Sequence, residues 1–216
     1  MILREFNEGQ DNPAETVNGH IMLFKSMKYF LSKIKNKIIY IIKFGLYVNE
    51  TMVLVEHEKH THQISPADIV YITPENVKDV LHFQHPRYKP VFEDFLKRGD
   101  KGYFAYLNGK CVHRVWVIHS SQTVRLHPLL TRQLKKNEVW IHYVETAPYA
   151  RGRNIFPAVL SKIAEDFDKD GVALLFAINE KNISCVKAAL KAGFRKVEKQ
   201  KVLVIFGIKH TKFLKC

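Results

Sequence analysis

Residues 149–156 read Tyr-Ala-Arg-Gly-Arg-Asn-Ile-Phe, and this stretch decides the fold that we predict. A strand-like apolar run precedes it, and apolar residues at helical spacing follow it from Phe156 to Asp170. A strand that turns through such a loop into a helix brings free backbone N–H groups and positive charge together. The arrangement is typical of a phosphate site, with Gly152 allowing close approach and Arg151 and Arg153 supplying charge.

A second strand and a second helix follow this loop. The apolar run at 173–178 predicts the strand, and residues 182–190 predict the helix. The helix is expected to end at Ala192, because Gly193 fits the left-handed position that commonly follows a helix. Phe194 then opens the next strand.

Residues 138–206 resemble the second half of the GNAT-superfamily N-acyltransferases. That family carries an Arg-Gly-x-Gly-x-Gly/Ala loop and, later, an Asn followed eleven residues on by Gly-Phe, a spacing kept here by Asn182 and Gly193-Phe194. The resemblance implies an α/β fold with a mixed, mostly antiparallel central sheet flanked by helices. It also implies an enzyme that transfers an acetyl or other acyl group from acyl-CoA, with acetyl-CoA as the first choice, to a small-molecule or sugar amine.

The sequence departs from the family pattern at two places. The second glycine of the loop is Asn154, and its third small residue is Phe156. The tyrosine that many members place seven residues after the Asn, as the acid for the leaving thiolate, is Ala189. Tyr143 and Tyr149 are conceivable substitutes. These departures favour an alternative function, a non-catalytic acyl-CoA-binding or regulatory module.

The resemblance implies a cofactor site made of the strand end, the loop and the Asn. Loop N–H groups would bind the pyrophosphate, the strand end would pair with the pantetheine arm, and the Asn would fix that arm from the opposite strand. The same donors could stabilise the oxyanion of the reaction. The implied residues are Val144, Glu145, Thr146, Arg151, Gly152, Arg153, Asn154, Ile155, Phe156 and Asn182.

Two residues of the strand before the loop are candidates for the catalytic base. Glu138 lies thirteen residues before Arg151, a spacing at which some family members carry a catalytic glutamate. His142 lies nearer the expected acyl position, and the intrinsic pKa of histidine suits a base at neutral pH. Strand alternation predicts that His142 and Tyr143 point to opposite faces. A purely structural role stays open for each candidate.

The net charge of +13 is concentrated in two segments. Residues 21–43 hold six lysines and no acid, and residues 191–216 carry a net charge of +7. Such basicity suits phosphate-bearing ligands, anionic membranes or nucleic acid. We expect no nucleic-acid partner, although a membrane- or nucleic-acid-associated protein remains the third functional class.

Three scattered cysteines predict a reducing, cytoplasmic setting rather than a disulfide framework. Cys185, beside the Asn182 motif, is expected to be a small buried hydrophobe rather than a nucleophile. The histidines at 57, 60 and 62 lack a further clustered ligand, so we expect a solvated connector and no metal site.

The N-terminal part is predicted to be a flexible tail at 1–20 and a basic amphipathic helix with a connector at 21–63. Apolar residues recur at steps of three and four from Phe24 to Ile41. Lysines interrupt this run too often for a membrane span. We expect the stripe to pack on the domain or on a second copy in a homodimer. A peripheral contact of residues 21–45 with the inner membrane face is the alternative.

The acyltransferase domain is predicted at 64–206, with a basic tail at 207–216. Residues 69–72 are expected to form its first strand, and Thr73-Pro74 to begin an α-helix. Asn108-Gly109 predicts a type I′ hairpin turn.

Two further segments of this domain can be assigned. A second helix is expected from Tyr88 to Lys97. The polar, basic stretch at 120–137 is expected to be a surface insertion.

Overall fold

A computed structural model of the chain describes residues 29–35, 37–40, 42–119, 122–167 and 171–216. The chain divides into two compact units. The larger comprises the described residues of 49–203 and 209–216, and the smaller comprises the described residues from 29 to 48 together with 204–208.

The strands of the described chain form one large sheet and one separate hairpin. They are β1 (Tyr47–His57), β2 (Asp68–Tyr71), β3 (Lys101–Leu107), β4 (Lys110–Ile118), β5 (Thr123–His127), β6 (Leu130–Gln133), β7 (Glu138–Thr146), β8 (Ala173–Asn179), β9 (Phe194–Ile205) and β10 (Ile208–Lys215). The large sheet has the order β10-β9-β1-β8-β7-β4-β3-β2, and β5 pairs with β6. β7 and β8 are parallel, whereas β1–β8, β2–β3, β3–β4 and β4–β7 are antiparallel. The predicted mixed, mostly antiparallel sheet is therefore confirmed.

Helices cover both faces of this sheet in the larger unit. They are α1 (Tyr88–Lys97), α2 (Ile155–Asp166), α3 (Ile183–Lys191) and a 3₁₀-helix at Val77–His82. Alternate residues of β4 enter different cores, because Val115 and Val117 pack with α2 and α3 whereas Trp116 packs with α1. The sheet thus separates two apolar cores, and the predicted helix from Tyr88 to Lys97 is confirmed.

The predicted domain boundaries need correction at both ends. β1 lies inside the sheet and pairs with β8, although the sequence predicts only a helix and a connector within residues 21–63. Its apolar run covers only Met52–Val55, which is short for a strand signal. β10 is a strand where a tail was expected. All eight of its residues are exposed, so it leaves no alternating pattern to read.

The predicted α-helix at Thr73-Pro74 is wrong. Residues 74–76 form a turn, and the segment that follows is the 3₁₀-helix. The Asn76 side chain accepts a hydrogen bond from the Thr73 N–H (2.8 Å) and donates one to the Tyr71 carbonyl (2.9 Å). Such local side-chain bonds compete with helix initiation.

The insertion at 120–137 is structured rather than a plain loop. Within its described part, β5 and β6 bury Val124, Leu126 and Leu130. The alternation of Val124, Arg125 and Leu126 is the strand signal in this stretch. In contrast, the hairpin predicted at Asn108-Gly109 is confirmed, since both residues have the positive φ (51° and 72°) that a type I′ turn requires.

The smaller unit contains the predicted N-terminal helix. Residues 29–35 and 37–40 are helical and all exposed, and a π-helical turn follows at Ile42–Leu46. The N–H groups of Phe206 and Gly207, at the β9–β10 turn, donate to the carbonyls of Leu46 and Gly45 (2.8 and 2.5 Å). The predicted tail at 1–20 and the helix onset at Phe24 lie outside the described residues. None of the described helices is long and apolar enough to cross a membrane.

Gly193 is fixed by two independent constraints after α3. Its φ is +84°, and its carbonyl accepts hydrogen bonds from the N–H groups of Glu58 (3.0 Å) and Lys59 (3.2 Å). A Cβ at this position would lie 1.9 Å from the Lys59 carbonyl oxygen. Only glycine satisfies both the left-handed backbone and the close approach.

We predict that Gly193→Ala lowers the free energy of unfolding by about 3 kcal/mol, because backbone strain and steric overlap add. Gly99→Ala is the matched control. Gly99 also follows a helix with φ +80°, but a Cβ there would meet nothing within 4 Å. The control should therefore cost only about 1 kcal/mol. Equal losses for the two variants in urea unfolding would contradict the role assigned to the Lys59 contact.

Candidate functional site

β7 and β8 are paired only at their beginnings. The register runs from Glu138 opposite Ala173 to Trp140 opposite Leu175. Within the described residues the pairing does not continue beyond this point, so the strands part towards their carboxyl ends. The loop into α2 follows one strand, and the Asn182 turn follows the other. In open α/β sheets, ligands bind outside the carboxyl ends of strands.

A cavity of about 550 Å³ lies at these strand ends. Nine of the ten residues predicted to bind the cofactor line it, and only Arg153 is missing from the lining. The full lining is Val144, Glu145, Thr146, Ala150, Arg151, Gly152, Asn154, Ile155, Phe156, Pro157, Asn182, Ser184, Cys185, Ala188 and Lys191. Segments far apart in the sequence therefore meet here, although their roles remain predictions.

The N-terminus of α2 opens onto this cavity. The N–H groups of Ile155 and Phe156 have no acceptor within the helix, and Pro157 has no N–H. The side chain of Asn154, the residue before the helix, makes no capping hydrogen bond. The helix dipole adds partial positive charge at this end. The helix N-terminus can therefore accept an anionic group.

Asn154 shows why the altered loop still forms its turn. Its backbone is left-handed (φ 58°, ψ 17°), a conformation that Asn adopts more readily than most residues. Its Nδ2 donates to the Ile64 carbonyl (2.7 Å), and its Oδ1 accepts from Lys191 Nζ (2.8 Å). The Asn thus takes the conformation that glycine would take and ties the loop to two other segments.

The cavity carries two positive side chains, and sequence reasoning missed one of them. Arg151 folds back onto the strand end, where it pairs with Glu145 (3.0 Å) and donates to the Thr146 carbonyl (3.2 Å). Lys191 lies at the end of α3, and its side chain bonds only the neutral Asn154 within the described chain. Nothing in its local sequence sets Lys191 apart from the other basic residues near the C-terminus.

Asn182 and Cys185 occupy the opposite wall. The Asn182 Oδ1 accepts hydrogen bonds from the Cys185 N–H (3.2 Å) and the Ser184 hydroxyl (3.0 Å), so it caps α3. Burial raises the pKa of the Cys185 thiol to about 11. The thiol is therefore protonated at neutral pH, which agrees with a packing role rather than a nucleophilic one.

A β-bulge interrupts β7 beside the cavity. Arg114 pairs with Glu145 and Trp116 with His142, so two residues of β7, Tyr143 and Val144, oppose the single residue between them on β4. Tyr143 has a φ of 51°, which is unusual for a bulky residue.

The bulge also corrects the predicted strand faces. The Tyr143 ring lies 5.0 Å from Phe95 and 5.2 Å from His142, measured between centroids. Tyr143 therefore shares a face with His142, and the predicted alternation is wrong here. Val144 packs with the α2 and α3 core on the other face.

His142 lies in an apolar, positively charged environment. Burial, helped by the charges of Arg98 and Arg114, lowers its pKa to about 3. Its Nε2 atom is buried and makes no hydrogen bond within the described part of the chain. The imidazole is thus neutral at physiological pH and has a free nitrogen, but it binds protons weakly.

Glu138 lies at the opposite end of β7 and is buried rather than exposed. Its carboxylate accepts hydrogen bonds from Arg132 Nη2 (2.7 Å) and from the Lys135 N–H (3.0 Å). It lines a second cavity of about 500 Å³ that shares no lining residue with the first. The structure therefore separates the two candidate bases.

Ala189 stands where the resemblance implies a tyrosine that protonates the leaving thiolate. Ala189 is buried in the α2–α3 core. Tyr143 and Tyr149 are exposed, and neither is among the residues that line the first cavity. Within the described ranges, no cluster of three or more His, Cys, Asp or Glu residues could hold a metal ion.

Comparisons with known proteins point to one fold. No protein-family model and no curated protein matches the chain. A GNAT-family acetyltransferase from Colwellia psychrerythraea aligns with a TM-score of 0.55 and 15% identity over 73% of this chain and 56% of that one. A GNAT-family acetyltransferase from Novosphingobium aromaticivorans aligns with a TM-score of 0.51 and 15% identity over 78% of this chain and 66% of that one.

A third solved structure belongs to a larger protein. It is a GCN5-related glucosamine N-acetyltransferase region of a fungal multi-domain β-N-acetylglucosaminidase, with a TM-score of 0.54 and 12% identity over 80% of this chain and 22% of that one. These likenesses establish that the chain has the fold of the GNAT acetyltransferases. They confirm the fold that the sequence resemblance predicts. The chain spans just over half the length of the Colwellia protein.

Proposed function

We propose that this chain, which has the GNAT fold, is an acyl-CoA-dependent N-acyltransferase. It would transfer an acetyl or other acyl group to the amine of a small molecule or sugar. The observation that carries the proposal is the cavity in which the α2 N-terminus, Arg151 and Lys191 meet the parted strands β7 and β8. The glucosamine N-acetyltransferase region among the structural neighbours makes an amino sugar a reasonable first acceptor to assay.

The positive elements of the cavity fit the phosphates of CoA. The N–H groups of Ile155 and Phe156 would donate to the pyrophosphate, as helix N-termini commonly do. Lys191 would add charge from the other wall, because the only hydrogen-bond partner of its side chain within the described chain is the neutral Asn154.

The strand end beside the cavity fits the pantetheine arm. Beyond Trp140, β7 has lost its pairing with β8, so the backbone of residues 144–146 can pair with a bound chain. Asn182 would contact the arm through its Nδ2, since its Oδ1 caps α3. Bound acyl-CoA would supply the thioester whose acyl group reaches the gap between the two strands.

We predict that Gly152→Asp weakens CoA binding at least ~10-fold, equivalent to about 1.4 kcal/mol. Gly152 lines the cavity, and its new carboxylate would repel the phosphates. Gly109→Asp is the matched control, because both glycines have positive φ (78° and 72°) and a Cβ at either position would meet nothing within 4 Å. Calorimetry on the two folded variants checks the difference.

An unchanged CoA affinity in Gly152→Asp, with the Gly109→Asp control also unchanged, would contradict the cofactor assignment. If the wild-type chain binds CoA but releases no thiol from acetyl-CoA with any of a panel of amines, the non-catalytic module is correct instead. Ala189 and the Asn154–Phe156 loop are the features that favour this second function.

We propose His142 as the base that receives the acceptor proton. Its Nε2 is buried but makes no hydrogen bond within the described chain, whereas both oxygens of Glu138 are engaged by Arg132 and Lys135. Because its pKa is lowered to about 3, His142 remains in the base form throughout the neutral range. The same low pKa makes it a weak proton acceptor, so the amine has to arrive uncharged or lose its proton onward to water.

We predict that His142→Gln lowers kcat about 100-fold with little change in CoA affinity. Glu138→Gln is the comparison. The acid limb of the wild-type rate profile should show no ionisation near pH 6.5, since His142 titrates far below that pH. A large loss in Glu138→Gln with a small loss in His142→Gln would transfer the role to Glu138.

The N-terminal segment has the chemistry of a membrane-binding helix. Residues 21–43 carry six lysines and no acid. The apolar surface exposed in the described part of this segment is wider than the single stripe at steps of three and four that would pack in a homodimer. Its residues are Tyr29, Phe30, Leu31, Ile34, Ile38, Ile39, Tyr40 and Ile42. We propose that residues 21–45 bind the anionic inner face of a membrane, which would place a cytoplasmic enzyme at that surface.

We predict that replacing Lys33, Lys35 and Lys37 together with Gln lowers binding to phosphatidylserine-containing vesicles at least ~10-fold at low salt, since each lysine contributes up to about 1 kcal/mol. The matched control replaces three exposed domain lysines, Lys110, Lys181 and Lys187. Sedimentation with vesicles across a salt series measures both. A dimeric elution volume together with no vesicle binding would assign the helix to a homodimer instead.

A further inference from the structure

Arg114 on β4 is a buried cation beside the β7 bulge. Its side chain is enclosed, and the whole residue is only 4% exposed. Within the described part of the chain it forms no ion pair with a carboxylate, and its Nε makes no hydrogen bond. Burying a charge that is not directly bonded to a carboxylate costs free energy, which the contacts of Arg114 have to offset.

The partners of Arg114 are one backbone carbonyl, one amide and three aromatic rings. Its Nη1 donates to the carbonyl oxygen of Tyr143, and its Nη2 donates to Gln84 Oε1 (3.2 Å). The guanidinium carbon lies 4.8 Å from the ring centroid of Tyr88, 5.3 Å from that of Phe92 and 5.7 Å from that of Tyr143. The ring faces and the two oxygen acceptors are thus its direct partners, and the Glu145 carboxylate adds an electrostatic attraction without forming an ion pair.

The carbonyl that Arg114 holds belongs to the strained residue of the bulge. A left-handed backbone at a bulky residue such as Tyr143 is strained and persists only where surrounding contacts require it. A charge-assisted hydrogen bond to that carbonyl and a guanidinium against the same ring are two such contacts. Arg114 therefore contacts both the backbone and the side chain of Tyr143.

The orientation of this peptide unit matters for the cavity. In a planar trans peptide the C=O of Tyr143 and the N–H of Val144 point in opposite directions. Fixing the carbonyl towards Arg114 therefore directs the Val144 N–H away from it. Val144 lines the cofactor cavity, whereas Tyr143 packs with Phe95 on the opposite face.

We propose that Arg114 is a positioning residue that holds the Tyr143–Val144 peptide in the bulged conformation, so that the Val144 backbone faces the acyl end of the cofactor. This inference rests on the proposed acyl transfer. Arg114 touches neither cofactor nor acceptor in this assignment. It acts through the bulge, which sets the direction of the strand end along the cavity and the placement of a hydrogen-bond donor for the developing oxyanion.

The test compares Arg114→Met and Arg114→Lys with the control Arg98→Met. Methionine keeps length and aromatic packing without a donor or charge. Lysine keeps a hydrogen-bond donor and the charge but lacks the planar guanidinium group, which donates to Tyr143 and Gln84 at the same time. Arg98 also lies over an aromatic ring of this face, 4.6 Å from the Phe95 centroid, and bonds Asp100 rather than the bulge. Backbone chemical shifts report the Tyr143 dihedral angles, calorimetry reports CoA affinity, and steady-state kinetics report kcat.

In Arg114→Met we expect Tyr143 to leave the left-handed region and kcat to fall about 10- to 100-fold, with CoA affinity within about 3-fold of wild type. Arg114→Lys should lose less, and Arg98→Met should keep the Tyr143 dihedral angles. Should Arg114→Met fail to fold, the Lys variant carries the comparison. A folded Arg114 variant with unchanged Tyr143 dihedral angles and unchanged kcat overturns the inference. A wild-type chain without transferase activity refutes the proposed function separately, because the dihedral readout needs no turnover.

Discussion

The separation of β7 from β8 is the constraint on which the site depends. The two strands are parallel neighbours, yet their pairing stops at Trp140 and Leu175. Continuous pairing would close the space that the cavity occupies and would use the backbone groups of residues 144–146. The bulge at Tyr143 contributes on the other side of the strand, where it changes the register against β4. An open edge in the middle of a sheet is therefore built into this fold at the cost of local strain.

The charge of the site is distributed differently from what its sequence indicates. Arg151 and Arg153 are the conspicuous cations of the loop, but Arg151 is paired with Glu145, and Arg153 is not part of the lining. An anion in the cavity would compete with Glu145 for Arg151. Lys191 bonds a neutral amide, so its charge is not offset by a carboxylate at that contact. The uncapped helix N-terminus and Lys191 thus provide the positive potential that is least compensated by the protein itself.

Local patterns predicted those parts of the fold whose causes are local. The strand–loop–helix around Gly152, the Asn108-Gly109 turn and the glycine after α3 each depend on a few adjacent residues, and the structure has all three. The parts that failed depend on distant partners. β10 has no buried face to generate a pattern, and Lys191 joins the site only because α3 packs beside the loop. The face error at Tyr143 has the same origin, because its left-handed backbone is held by Arg114, which lies 29 residues earlier in the chain.

The surroundings of His142 bear on how an amine would react there. Burial lowers the pKa of His142, and the charges of Arg98 and Arg114 add to that effect. An amine placed beside the imidazole would be subject to the same burial and the same positive charges, both of which disfavour its ammonium form. The environment that weakens His142 as a proton acceptor would therefore also lower the pKa of the acceptor. The electrostatics of the site would therefore favour the neutral, nucleophilic amine before the reaction begins. The base would then not be needed to deprotonate an ammonium ion.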